Sequence, residues 1–221
     1  MDRYLLENLT RKLRIAPLNI VRENVEVAFL NSISESTISK KLIFYGGTSL
    51  RLGYGSPRFS EDIDFLMTQK ITDKELKDVV EHFREENQNV SIKEIKEKRS
   101  TLFALINIIE PTLKHPINIK IEICKKKDNI ESEFLPLVSP CSHLRPIVLI
   151  AAIGALKKLK IEAIKQRNDP KDWFDLWYIY KYLKEPVSFP VKFPFDKKEF
   201  VRELKRFLPL DKWELIKQVY V

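Results

Sequence analysis

Apolar side chains at three- and four-residue spacing mark the start of the chain. Leu18, Val21, Val25 and Ala28 to Leu30 share one helical face, which predicts a helix over 17–31 begun at Pro17 or Asn19, behind an earlier helix over 1–14. The polar stretch 32–40 reads as a loop. The period then shortens: 41–45 is an apolar run of strand type that stops on Gly46-Gly47, and 62–67 is another. Between them, 48–52 has room for one or two helical turns with Thr48 as cap, and 53–57 is rich in turn residues. Residues 72–86 are amphipathic, with Thr72 and Glu75 at capping-box spacing. Strands are predicted over 90–96, 101–109 and 117–124. The last alternates strictly, with Ile117, Ile119, Ile121 and Ile123 facing one way and Asn118, Lys120 and Glu122 the other.

Beyond residue 130 the rhythm becomes helical. A connection containing Pro and Ser covers 134–146, helices are predicted over 147–167, 170–183, 196–207 and 211–219, and a Pro-rich linker spans 186–194. The expectation is an α+β protein: a small mixed sheet flanked by helices over 1–130, followed by a C-terminal helical module over 131–221 that completes the site.

Charge and composition narrow the function classes. The 221 residues carry 39 Lys and Arg against 31 Asp and Glu, a net charge of +8 that suits a polyanionic partner without selecting RNA over protein. No apolar run approaches the ~20 residues of a membrane span, and Met1-Asp2-Arg3-Tyr4 does not begin a secretory signal. Two cysteines, Cys124 and Cys141, make no disulfide framework, so a cytoplasmic location is expected. With His143 they match no four-ligand zinc spacing. Of only five glycines, four fall between Gly46 and Gly55, which points to special backbone geometry there.

That segment carries the candidate chemistry. Gly46-Gly47 ends a strand and opens a helix, where backbone N–H groups can receive a phosphate, and Thr48 or Ser49 can add a hydroxyl donor. No Gly-x-Gly-x-x-Gly follows a strand, so a dinucleotide fingerprint is excluded. Asp62 and Asp64, two apart on a strand, project from one face and suit a hard divalent cation, Mg2+ or Mn2+. Glu122, on the polar face of its own strand, is the candidate third carboxylate. Lys160 and Arg167 share a helical face that can grip a triphosphate, and Asp172 and Asp175 stand three apart at the next helix start, where a helix dipole alone favours acids. Arg58 is either a phosphate contact or an ion-pair partner of Glu61.

The motifs Phe44-Tyr-Gly-Gly-Thr-Ser-Leu-Arg51, Arg58-Phe-Ser-Glu-Asp-Ile-Asp-Phe65, Lys120-Ile-Glu122, Lys160-Ile-Glu-Ala163 with Arg167, and Lys171-Asp-Trp-Phe-Asp-Leu176 together resemble the DNA-polymerase-β-type nucleotidyltransferase superfamily, and within it the AbiEii/AbiGii toxin family. Lys171 stands where the family usually has Arg. The resemblance implies an enzyme that transfers a nucleoside monophosphate from a nucleoside triphosphate to an acceptor hydroxyl, with RNA, and transfer RNA in particular, as acceptor and an antitoxin as partner. It implies Asp62, Asp64 and Glu122 as metal ligands and catalytic groups. Gly46, Gly47, Thr48, Ser49, Arg58, Lys160 and Arg167 would bind the nucleotide, with Lys160 catalytic as well. Asp175 would complete the site by orienting Lys160 or Arg167 or by touching the acceptor. The rival readings are a protein-modifying nucleotidyl- or phosphotransferase on the same fold, and a non-catalytic nucleotide- or RNA-binding partner.

Overall fold

Leu42–Tyr45 (β1) is a short apolar run whose first three residues are buried, and such a run is stable only with strands on both sides. Asp62–Met67 (β2) pairs with it antiparallel on one side, and Ile147–Ala151 (β7) pairs with it parallel on the other. The computed structural model describes residues 1–126 and 130–220. Val90–Glu97 (β3), Thr101–Ile108 (β4), Ile117–Cys124 (β5) and Ser132–Pro136 (β6) complete a mixed seven-stranded sheet in the order β3-β4-β5-β2-β1-β7-β6. An α+β protein with a mixed, helix-flanked sheet is therefore what the chain forms.

Eight α-helices accompany the sheet among the described residues. Arg3–Leu13 (α1) and Pro17–Glu35 (α2) pack together, α2 reaches β5 and β7, and Asp73–Glu86 (α4) covers β3 and β4. The expected capping box at Thr72 and Glu75 is present. Gly46–Tyr54 (α3) rests on β1 and β2. Ile153–Gln166 (α5) and Pro170–Leu183 (α6) form a pair, followed by Lys197–Lys205 (α7) and the short Glu214–Lys217 (α8). The sheet helices share one apolar core. Trp173, Phe174, Trp177, Phe200, Leu204 and Ile216 form a second cluster in the C-terminal helices. No helix among the described residues is long and apolar enough to cross a membrane.

Four expectations are corrected. The loop over 32–40 begins later, because Ser32 and Ile33 are buried and keep α2 helical to Glu35. The connection expected over 134–146 starts only after β6 ends at Pro136, and the helix expected over 147–167 starts only at Ile153, because Ile147-Val-Leu-Ile-Ala is a β-branched apolar run that pairs with β6 and that parallel pairing with β1 draws into the sheet. Strands after residue 130 thus belong to the same sheet as those before it. The junction expected near 130 adjoins residues 127–129, which lie outside the described residues. Finally, α3 starts at Gly46 rather than at a Thr48 cap, and 211–219 holds only a helical turn at Leu210–Lys212 and α8.

Candidate active site

β2 aims Asp62 and Asp64 at one face while Ile63, between them, points into the core with 0% exposure. β5 runs parallel beside it, in a register that sets Lys120 next to Asp62 and Glu122 next to Asp64. The three carboxylates share one wall of a cleft of about 250 Å³. The Lys120 ammonium stands between two of them, 3.2 Å from Asp62 Oδ2 and 3.3 Å from Glu122 Oε2, and Lys98 reaches Glu122 Oε1 at 3.5 Å. These cations do not balance the wall. Burial, with the charges of Asp62 and Glu122, pushes Asp64 up to about 6 from 3.8, although Lys120 and Lys160 pull it down. Tyr45, opposite Asp64 on β1, has its phenol pushed up by burial and then by the Asp64 charge. Among the described residues no three His, Cys, Asp or Glu side chains close around one point as they stand.

The glycine pair makes room for this wall. Gly46 has a φ of +89°, and a Cβ there would lie 2.9 Å from Asp64 Oδ2. A Cβ at Gly47 would lie 2.3 Å from Arg58 Nη2 and 2.7 Å from Ser60 Oγ. Tyr45 gives α3 no side-chain cap, so the N–H groups of its first turn have no partner within the helix, and Gly46 and Gly47 line the cleft.

The facing wall comes from α5, α6, the turn between them that holds Arg167, and the loop before β2 that holds Arg58. Arg58, 2% exposed, donates from Nε and Nη2 to the two oxygens of Asp175 at 2.7 Å each, and from Nη1 to the Phe59 carbonyl at 2.9 Å. Lys160 Nζ bridges Asp172 Oδ1 and Asp175 Oδ2, both at 2.7 Å. Arg167 donates from Nε to Asp172 Oδ2 at 2.7 Å and from Nη2 to Oδ1 at 3.2 Å, yet its side chain is 63% exposed. Three cations and two carboxylates thus alternate in one chain of contacts. Burial alone would raise Asp175, but Arg58 and Lys160 outweigh it and hold the carboxyl at about 2. Asp172 is lowered in the same way by Lys160 and Arg167 against burial, and Lys160 is raised despite burial by its two carboxylates.

The sequence was also compared with known proteins. The family model described as "Nucleotidyl transferase AbiEii toxin, Type IV TA system" matches residues 28–212. The chain belongs to the AbiEii nucleotidyltransferase toxin family. It is accordingly a nucleotidyltransferase. Several solved structures share its fold. JHP933 from Helicobacter pylori is 23% identical with a TM-score of 0.57, over 76% of this chain and 68% of that one. The nucleotidyltransferase toxin MenT4 from Mycobacterium tuberculosis H37Rv is 17% identical with a TM-score of 0.62, over 91% of this chain and 68% of that one. No curated protein matches the sequence.

In this AbiEii-family chain two of the expected donors point elsewhere. Thr48 Oγ1 donates to the Asp62 carbonyl at 2.5 Å and Ser49 Oγ to the Gly46 carbonyl at 2.9 Å, both buried, because α3 packs its polar first turn onto β2. The Thr48 hydroxyl ties α3 to the Asp62 strand and the Ser49 hydroxyl bonds within its own turn, and neither residue lines the cleft. Arg58 pairs with Asp175, not with Glu61, which meets Arg22 at 3.2 Å and Lys171 at 3.7 Å. Lys120 and Tyr45 were missed by the sequence reading. For Lys120 the signal was available, since it alternates onto the same face as Glu122.

Proposed function

We propose that this AbiEii-family enzyme transfers a nucleoside monophosphate from a nucleoside triphosphate to a hydroxyl of RNA, with transfer RNA the first acceptor to test, and that Mg2+ or Mn2+ assists. The observation that carries the reading is the charge imbalance of the acid wall: three carboxylates, one of them pushed up to about 6, meet two ammoniums, Lys120 between Asp62 and Glu122 and Lys98 at the outer oxygen of Glu122. Oxygen donors of this kind suit a hard divalent cation that also binds substrate phosphates. Asp62 and Asp64 would hold it, Glu122 would complete the set, and Lys120 is the group it competes with. Bound there, the cation would supply charge neutralisation at the phosphates and a more acidic acceptor hydroxyl.

The chain's own groups do the rest. The backbone at Gly46 and Gly47 and the exposed Arg167 receive the triphosphate, and Lys160 and Arg58 add positive potential from behind. The acceptor oxygen forms a bond to the α-phosphorus as the bond from that phosphorus to the pyrophosphate oxygen breaks. The hydroxyl proton passes to the acid wall, where Glu122 meets the Lys98 and Lys120 ammoniums, and pyrophosphate leaves with the β- and γ-phosphates. Catalysis of this kind is positioning and charge compensation. Asp175 acts as a positioning residue through Arg58 and Lys160. The setting we assign is the cytoplasm, where triphosphates and RNA meet, with a cognate antitoxin as regulator.

The test uses α- and γ-labelled triphosphates with transfer RNA and with protein acceptors. Label from the α position on RNA is expected. Label from γ without α on any product overturns nucleotidyl transfer, and α-label on protein alone overturns the RNA acceptor.

A further inference from the structure

α7 presents two unlike faces. Phe200 and Leu204, four apart and both 0% exposed, turn inward to the C-terminal aromatic cluster. The opposite face gathers Lys197, Lys198, Arg202 and Lys205 around Val201 and Tyr220, and together these line a groove of about 570 Å³ in which no acidic side chain of the described residues takes part. Two of the lysines lie over aromatic rings: Lys197 Nζ is 4.9 Å from the Tyr220 ring centre and Lys205 Nζ is 4.2 Å from that of Trp213. Their ammoniums are thereby oriented without being neutralised. Arg202 meets Glu199 at 3.7 Å, but both are more than two-thirds exposed, and such a pair is weak and salt-screened.

The groove leads to the catalytic cleft. Beyond α7 the chain runs through Arg206 to Phe207, whose carbonyl accepts from the Phe59 N–H at 2.8 Å, beside Arg58. Lys171, which lines the cleft, holds its ammonium 5.3 Å from the Phe207 ring centre, and the Arg206 guanidinium carbon stands 5.3 Å from the same ring. Cations therefore follow one another from Lys171 at the cleft, which also meets Glu61 and Asp169, past Arg206, which is paired with Glu203 at 2.9 Å, along about 13 Å of helix to Lys198 and Lys197.

From this placement we infer that the α7 groove is the docking track for the acceptor's phosphate backbone, which brings an RNA hydroxyl to the cleft past Lys171. The inference rests on the RNA acceptor proposed above. Four cations, with no acid of the described residues in the lining, complement a polyanion.

The experiment compares the full-length protein with its Lys198→Glu/Arg202→Glu variant. Both side chains lie on the solvent face of α7, so an unchanged thermal midpoint is the control, and a Lys198→Gln/Arg202→Gln variant gives the neutral step between. A transfer-RNA transcript is the probe, in equilibrium binding across a salt series and in steady-state transfer. The reversal weakens binding by about tenfold or more near ~100 mM salt and flattens the log K against log salt slope by about 1.5, the size of two lost phosphate contacts. KM for RNA rises while kcat and triphosphate affinity stay at wild-type values. If wild type labels the RNA and the variant does so with the same slope and KM, the docking track is wrong while the RNA reading stands. If wild type labels protein and no RNA, the RNA reading falls and the track falls with it.

Discussion

The two walls of the cleft use the same residue types to opposite ends. On the α5–α6 side, Arg58, Asp175, Lys160, Asp172 and Arg167 alternate in sign, and every carboxylate oxygen has a cation at 2.7 Å. On the β2–β5 side, Asp62, Asp64 and Glu122 outnumber the ammonium between them. The first wall satisfies itself, and both its acids are held low. The second stays short of positive charge, and Asp64 rises to about 6. A buried network that is complete fixes positions, whereas one that is incomplete asks for a ligand. The acids of the two walls should therefore fail differently when removed.

The largest effect is expected at the open wall. Asp62→Ala with Asp64→Ala should lower transfer by about a thousandfold or more, the scale of losing preorganised charge stabilisation, while the thermal midpoint does not fall. Labelled transfer and a melting curve on one preparation check both halves. Asp175→Asn should do the reverse in kind. It leaves Arg58 and Lys160 buried with a weakened partner, at about 3–5 kcal/mol or roughly 10 °C of midpoint in a chain of this length. If Asp175→Asn leaves the midpoint untouched, the closed wall is not structural.

The pH dependence has opposite signs at the two walls. Asp64 is raised, so between pH 3.8 and about 6 the folded chain keeps a proton that the unfolded chain has lost. Its contribution is fully favourable below that window and lost as pH rises through about 6. Asp175 is lowered to about 2, so its contribution is present above the ordinary 3.8 and lost as pH falls towards 2. Asp64→Asn should raise the midpoint at pH 7 by roughly 2–4 °C, about 1 kcal/mol, and remove the decline between pH 4 and 6, as melting curves across pH will show. The smallest effect belongs to Arg167→Ala. This side chain is 63% exposed and its partner Asp172 keeps Lys160, so stability should change by less than about 1 kcal/mol. The KM for the triphosphate should rise severalfold, measured by initial rates at saturating acceptor.

Much of this contrast was legible in the sequence, and the reason is periodicity. Alternation alone puts Asp62 with Asp64, and Glu122 opposite the isoleucines, because a strand has a period of two. Register is not local, so nothing in the sequence says that β2 and β5 run parallel with Glu122 beside Asp64 and Lys120 beside Asp62. Ile147-Val-Leu-Ile-Ala was misread as helix because a short apolar run continuous with a helical pattern carries no period of its own. Its strand character comes from pairing with β1 over a hundred residues away. That Lys160 and Arg167 reach one place was readable, but not how: α5 ends at Gln166, so Arg167 stands in extended backbone beyond it rather than on a shared helical face, and Asp172 bridges the two because α6 packs against α5. Arg58, in the loop before β2, turns from Glu61 to Asp175 only in the folded chain.

The central claim is that the open wall is a divalent-cation site and the closed wall is not. Mn2+ titration of the full-length protein with a non-hydrolysable triphosphate, read by electron paramagnetic resonance, tests it directly. Wild type should take up the ion, and Asp64→Asn should lose that uptake while Arg167→Ala keeps it. Equal uptake by wild type and Asp64→Asn would contradict the account.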